Sequence, residues 1–130
     1  MKIIALVQAR IGSTRLPGKV LKKIVNRPVI DLLLTRLSES KKIDQIVVAT
    51  SKNTKDDTLK DVVESLGYDC FRGSEDDVLK RFYDAAKKYN ADIVVRITGD
   101  CPLVDANLVD TCITNFLFSK VDYYSNTLPI

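Results

Sequence analysis

The 130-residue chain is 45% hydrophobic and 28% charged, the balance of an ordinary soluble globular domain long enough to bury its own core. Its longest apolar runs, Ile3 to Val7 and Ile46 to Ala49, are too short to cross a bilayer, and the amino terminus has neither a signal-peptide apolar region nor a cleavage site; a cytoplasmic protein with no membrane partner is expected. Residues 1 to 60 hold 13 Lys+Arg against 5 Asp+Glu and residues 61 to 130 hold 7 against 12, so the anion-binding end lies early, and with no basic stripe interleaved with aromatics no nucleic-acid partner is expected.

Apolar strand runs then alternate with helical periodicity. Ile3 to Gln8 reads as a buried strand, and Ile30, Leu33, Leu34 and Leu37 follow at helical spacing. Ile46 to Ala49 is a second strand. Thr54 with Asp57 reads as the capping box of a helix whose core face is Leu59, Val62, Val63 and Leu66 and which Gly67 ends. A short strand at Asp69 to Phe71 leads into Arg72-Gly73 and a second capping box, Ser74 with Asp77, before a helix that buries Val78, Phe82, Ala85, Ala86 and Tyr89. Ile93 to Ile97 is a fourth, fully apolar strand, in which Arg96 suggests a buried ion pair. The Thr98 to Pro102 loop, a helix capped by Asp105 and presenting Leu108, Val109, Cys112, Ile113, Phe116 and Leu117, and a strand at Asp122 to Ser125 complete the series. Repeated βα units predict a three-layer α/β domain with a mostly parallel sheet and helices on both faces, whose ligand lies beyond the carboxyl ends of the strands.

Two loops at such ends carry the chemistry. Val7 to Lys19 joins the first strand to a small-residue segment in which Gly12, Ser13 and Gly18 let the backbone approach phosphate oxygens, while Arg10, Arg15 and Lys19 supply charge and forked donors. It is not a Walker A loop, because Gly12 and Gly18 enclose five residues and Val20 follows Lys19, and no G-x-G-x-x-G is present. Lys22 and Lys23 read as surface charges. The second loop is Arg96-Ile97-Thr98-Gly99-Asp100-Cys101-Pro102-Leu103. Its Asp100 either caps the helix that follows or reaches a magnesium ion bridging phosphates, which takes one or two carboxylates plus phosphate oxygens and water. The absence of histidine excludes Ser-His and Cys-His nucleophile pairs and His-ligated zinc, and the unpaired Cys70, Cys101 and Cys112 read as small packing residues of a reducing compartment.

Ala9-Arg10-Ile11-Gly12-Ser13-Thr14-Arg15-Leu16-Pro17-Gly18-Lys19 resembles the opening motif of the cytidylyltransferases that activate acidic sugars, A-R-x-x-S-x-R-L-P-G-K. With Gln8-Ala9-Arg10 before the loop and Thr98-Gly99-Asp100-Cys101-Pro102 later, the chain is most similar to the branch named after spore-coat polysaccharide biosynthesis, along essentially its whole length. The resemblance implies a Rossmann-like nucleotide-diphospho-sugar transferase fold, here truncated, with residues 1 to 130 forming one nucleotide-binding domain that is the N-terminal part of a longer family domain. It implies transfer of CMP from CTP to an acidic sugar or other small polyol, with Arg10, Arg15 and Lys19 on the triphosphate and Asp100 on Mg²⁺. It also places Ala9, Gly12, Ser13, Thr50, Arg72, Gly73, Ser74 and Arg81 around the nucleotide, where backbone groups read a pyrimidine edge and small residues exclude a purine. Ser74 is claimed equally by a helix cap, and Arg81 either pairs with the loop carrying Asp77 or touches the nucleotide. Two other readings stay open: a nucleotidyltransferase of different base specificity, and a nucleotide-binding fragment without turnover. A homodimer is compatible with each.

Overall fold

The strand β1 (Ile3–Gln8) is apolar at every position up to Val7, and Ile4 to Val7 have no exposed surface at all. A strand buried on both faces needs neighbours on both edges and helices on both sides. The computed structural model, which describes residues 1–9, 23–24, 27–98 and 105–119, supplies them. A sheet of four parallel strands runs in the order β5-β4-β1-β6, with β4 at Gln45–Ser51, β5 at Asp69–Gly73 and β6 at Ile93–Thr98. The register pairs Gln8 with Ala49 on one side of β1 and with Thr98 on the other. A two-rung antiparallel pair, β2 (Lys23–Ile24) with β3 (Arg27–Pro28), precedes the first helix.

Alternation along β1 and β4 divides the core in two. Ala5, Val7 and Val48 face α1 (Val29–Leu37) and α2 (Asp57–Ser65), whose Ile30, Leu33, Leu34, Leu37, Leu59 and Val63 are fully buried, and Val109 of α4 (Ala106–Ser119) packs on the same side. Ile4, Leu6, Val47 and Ala49 face Phe82 and Ala85 of α3 (Val78–Lys88). The expected three-layer arrangement is therefore present. Among the described residues no helix is long and apolar enough to cross a membrane. The expected strand at Asp122 to Ser125 lies outside the described residues.

Four local expectations need correction. The Thr54 cap is displaced by one residue: Asn53 Oδ1 accepts from the Lys55 amide at 2.9 Å and starts a 3₁₀ turn, Thr54–Asp56, that leads into α2. The cap of α3 is Asp77, whose Oδ1 accepts from the Lys80 amide, while Ser74 Oγ accepts from Asp77 N–H one turn earlier. Arg96 is exposed and lies 4.6 Å from the Phe82 ring centroid, a cation–π contact in place of a buried pair. Among the described residues α3 is what covers this face of the sheet, and it covers β6 only in part, so β6 alternates between half-buried and exposed positions. Leu108 and Leu117 of α4 are likewise exposed, and its buried positions are Ala106 and Ile113. Two stops hold as expected: Gly67 ends α2 with φ of 90°, and Asp105 Oδ1 accepts from the Asn107 and Leu108 amides at the start of α4.

Two contacts set the fit of helices to sheet and make measurable claims. Asp110 of α4 accepts from Ser40 Oγ and from the amides of Lys41 and Lys42, clamping α4 to the turn before β4. Burial pushes its carboxyl pKa up, but these hydrogen bonds outweigh it and hold the group below its ordinary value. A depressed carboxylate stabilises the fold above the unfolded pKa and loses that contribution as pH falls through the folded one. Asp110→Asn is therefore expected to lower unfolding free energy at neutral pH by about 0.5–1 kcal/mol, since solvent screens this largely exposed clamp, with the gap to the unaltered chain closing in acid; urea titrations across pH check this. At the end of β5, a Cβ on Gly73 would stand 2.9 Å from Phe71 Cε1, 3.0 Å from Arg81 Cγ and 3.3 Å from Arg81 Cα. Only a glycine lets α3 come so close, and Gly73→Ala is expected to cost about 1–3 kcal/mol in the same assay.

Candidate functional site

Because all four strands are parallel, their carboxyl ends lie at one edge of the sheet. From β1 the chain moves outward through β4 to β5 and then returns to β6 on the other side of β1. The order reverses at β1, and in open α/β sheets ligands bind in the crevice at such a switch point. Gln8 and Thr98 are register partners there, so the cationic segment beginning at Arg10 and the Gly99-Asp100 segment leave the sheet from adjacent strand ends. Arg10, Gly12, Ser13, Arg15, Lys19 and Asp100 themselves lie outside the described residues.

The other expected site residues gather at the same edge. Ala9 is buried, and its amide donates to Ala49 O at 3.2 Å, prolonging the β1–β4 ladder. Thr50 closes the apolar part of β4 and has no exposed surface; among the described residues its hydroxyl has no hydrogen-bond partner. Arg72, Gly73 and Ser74 follow from β5. Arg81 projects from the first turns of α3, fully buried, with Nη1 donating to Ser74 O at 3.0 Å.

Arg72 has three distinct partners on the neighbouring loop. Nε donates to Ser51 O at 2.9 Å, Nη2 to Asn53 O at 2.7 Å, and Nη1 to Asp57 Oδ1 at 2.6 Å. Beneath it, Ser51 Oγ donates to Asp56 Oδ2 and accepts from Asn53 N–H, with Ser51 and Asp56 both buried. Lys52 N–H donates to Gly73 O, and Asn53 Nδ2 to Glu75 Oε2. The loops leaving β4 and β5 are thus tied to each other at several points. Sequence reasoning missed this network; its one visible signal is Ser51, Asn53 and Asp56 placed where an apolar strand gives way to a helix, a composition that bonds to local backbone.

No group of three or more potential metal-ligating side chains occurs among the described residues. Asp56, Asp57, Glu75 and Asp77 at this edge are engaged with Ser51, Arg72, Asn53 and the Lys80 amide. A covalent route through cysteine also lacks support: burial pushes the Cys70 thiol up to about 11, which keeps it protonated and unreactive at neutral pH. Cys101 lies outside the described residues. What the described residues form is an edge of small residues at the strand ends, with the β4 and β5 exit loops tied to each other.

Known proteins of the same build have related sequences. The chain is 39% identical over 125 residues to the spore coat polysaccharide biosynthesis protein SpsF of Bacillus subtilis, an overlap of 93% of this chain and 52% of that one. A solved cytidylyltransferase from Leptospira borgpetersenii superposes with a TM-score of 0.88 at 42% identity, covering 92% of this chain and 50% of its own. A CMP:2-keto-3-deoxy-manno-octonic acid synthetase solved in complex with CTP gives 0.82 at 28% identity, over 91% and 48%. The chain spans about half the length of the curated relatives it matches. The cytidylyltransferase family model covers residues 4–129, and the chain belongs to that family.

Proposed function

We propose that residues 1–130 form the nucleotide-binding portion of a cytidylyltransferase, which binds CTP with Mg²⁺ in the crevice beyond β1 and β6. In the polypeptide that carries this portion, CMP would pass to an acidic sugar for surface polysaccharide biosynthesis. The observation that carries the reading is the register pairing of Gln8 with Thr98, from which both chemically distinctive segments depart side by side at the switch point. Family membership, the polysaccharide role named for the Bacillus relative and the CTP of the synthetase complex support the choice of nucleotide and acceptor.

The reaction would be attack of a sugar hydroxyl on the α-phosphorus with departure of pyrophosphate. Negative charge then grows on the bridging oxygen and on the leaving group. Arg10, Arg15 and Lys19 would hold the β and γ phosphates and offset that charge, an electrostatic and positioning role with no covalent intermediate. Asp100, one carboxylate just past a strand end, has the donor chemistry that would hold Mg²⁺, and the ion would supply positive charge to offset that of the phosphates. Capping of α4 falls to Asp105, which leaves Asp100 free of that duty. Ala9, Thr50, Gly73 and Ser74 would border the nucleoside, with Arg72 and Arg81 behind the wall they form.

Nucleotide binding, measured as thermal shift and by calorimetry, tests the proposal. CTP with Mg²⁺ is expected to raise the melting temperature more than ATP, GTP or UTP; equal shifts from all four would contradict the cytidine assignment, and no shift would remove the phosphate site. Arg15→Ala or Lys19→Ala is expected to weaken CTP binding by about 1.5–3 kcal/mol without unfolding the chain. Asp100→Asn is expected to abolish the Mg²⁺ dependence of binding at little cost in stability. Full Mg²⁺ dependence in that variant would return Asp100 to a purely structural place.

A further inference from the structure

The edge of the sheet holds two arginines whose described hydrogen bonds go mainly to main-chain carbonyls of the exit loops. Arg72 takes Ser51 O and Asn53 O, and Arg81 takes Ser74 O. An arginine that serves an anionic ligand presents its fork outward to phosphate or carboxylate. Here each of the three Arg72 nitrogens faces back into the protein, and its one carboxylate partner, Asp57, has a side chain 58% exposed, so that ion pair adds little. The substance of the contact is the pair of carbonyl bonds. They fix the direction in which residues 51 to 53 leave β4, and Lys52 N–H to Gly73 O and Asn53 Nδ2 to Glu75 Oε2 extend the same tie to the loop leaving β5. That second loop cannot recede, because Gly73 is already packed against Phe71 and the backbone of Arg81.

We propose that Arg72 is a positioning residue for nucleobase selection: it locks the β4 and β5 exit loops into one rigid wall, and through that wall, without touching the nucleotide, it sets the preference for a pyrimidine over a purine triphosphate. The inference rests on the nucleotide-site reading above. A wall discriminates by size only if it does not yield, since a loop that moves outward admits the larger base at small cost. The described residues offer few other means of exclusion here, because those expected to line the base, Thr50, Gly73 and Ser74, are small. Loop rigidity then takes the place of side-chain bulk.

The test is calorimetry on the full 130-residue chain with CTP, ATP and inorganic tripolyphosphate, for the unaltered protein, Arg72→Ala and Arg72→Lys. Failure of the unaltered chain to bind CTP or tripolyphosphate would strike the underlying reading, whereas the CTP-to-ATP affinity ratio in the variants addresses Arg72 alone. In Arg72→Ala that ratio is expected to fall by about tenfold, the scale of discrimination a hydrophobic pocket achieves per methylene, with tripolyphosphate affinity unchanged. Arg72→Lys keeps the charge and loses the three-pronged clamp, so it is expected to behave as the alanine variant. An equal loss for all three ligands would show that Arg72 contacts phosphate, and an unchanged ratio, or full rescue by lysine, would overturn the proposal. Should Arg72→Ala fail to fold, Asn53→Ala loosens the same loop from its far end by removing the Glu75 tie. A ratio that stays at the unaltered value in that variant also overturns the proposal.

Discussion

The parallel pairing of β1 with β4 on one edge and β6 on the other is the constraint from which the rest of the molecule follows. A strand with no exposed surface from Ile4 to Val7 must be central, and Ile4, Leu6 and Val7 each contribute about 1.5–3 kcal/mol by leaving water. Once β1 is central and both neighbours are parallel to it, the chain must cross over after each strand, and helices come to lie on both faces. Carboxyl ends then share one edge. The site is in that sense a by-product of burial: Gln8 and Thr98 are brought together by a ladder of backbone hydrogen bonds and apolar contacts that knows nothing of the ligand.

At this edge the backbone faces a difficulty that strands in the middle of a sheet do not. Carbonyls leaving β4 and β5 have no further strand to pair with, and orphaned buried carbonyls are costly. Water could satisfy them, but a wet loop is a mobile one. Arg72 and Arg81 supply long, forked donors instead, and they do so from within a single strand–loop–helix unit. Satisfying the backbone and fixing the loops are therefore one physical act. Ser51 with Asp56 repeats it on a smaller scale below.

The sequence made the layers legible because apolar period is a direct record of burial. Ile30, Leu33, Leu34 and Leu37, and Leu59 with Val63, were readable as core faces and are fully buried. It misled where burial depends on what stands opposite. Ile93 to Ile97 looks as apolar as β1, yet among the described residues α3 covers β6 only in part, so Val94 is 39% exposed and Arg96 rests on Phe82 in contact with solvent. No local pattern carries that information, since it is set by the width of one helix across four strands. Caps shifted for a related reason: Asn53 takes the Lys55 amide and Asp77 the Lys80 amide, with Ser74 on the Asp77 amide one turn earlier, and which residue caps depends on where the strand before it stops. The place of Arg72 at a strand end was legible, but the direction of its guanidinium was not.

The two halves of the crevice consequently ask different things of the sequence. On the side of the basic segment, the proposed selectivity for a triphosphate would come from charge, which acts over several ångströms and tolerates imprecise placement. On the side of β4 and β5, a base offers a few neutral donors and acceptors, and a hydrogen bond weakens steeply once its geometry departs from the favoured distances and angles. Charge can be carried by a glycine-punctuated loop with forked side chains. Shape cannot, and it is on this side that Gly73, Arg81, Arg72, Ser51 and Asp56 interlock. Rigidity is concentrated where recognition depends on position, in the part of the site whose residues look least functional in the sequence.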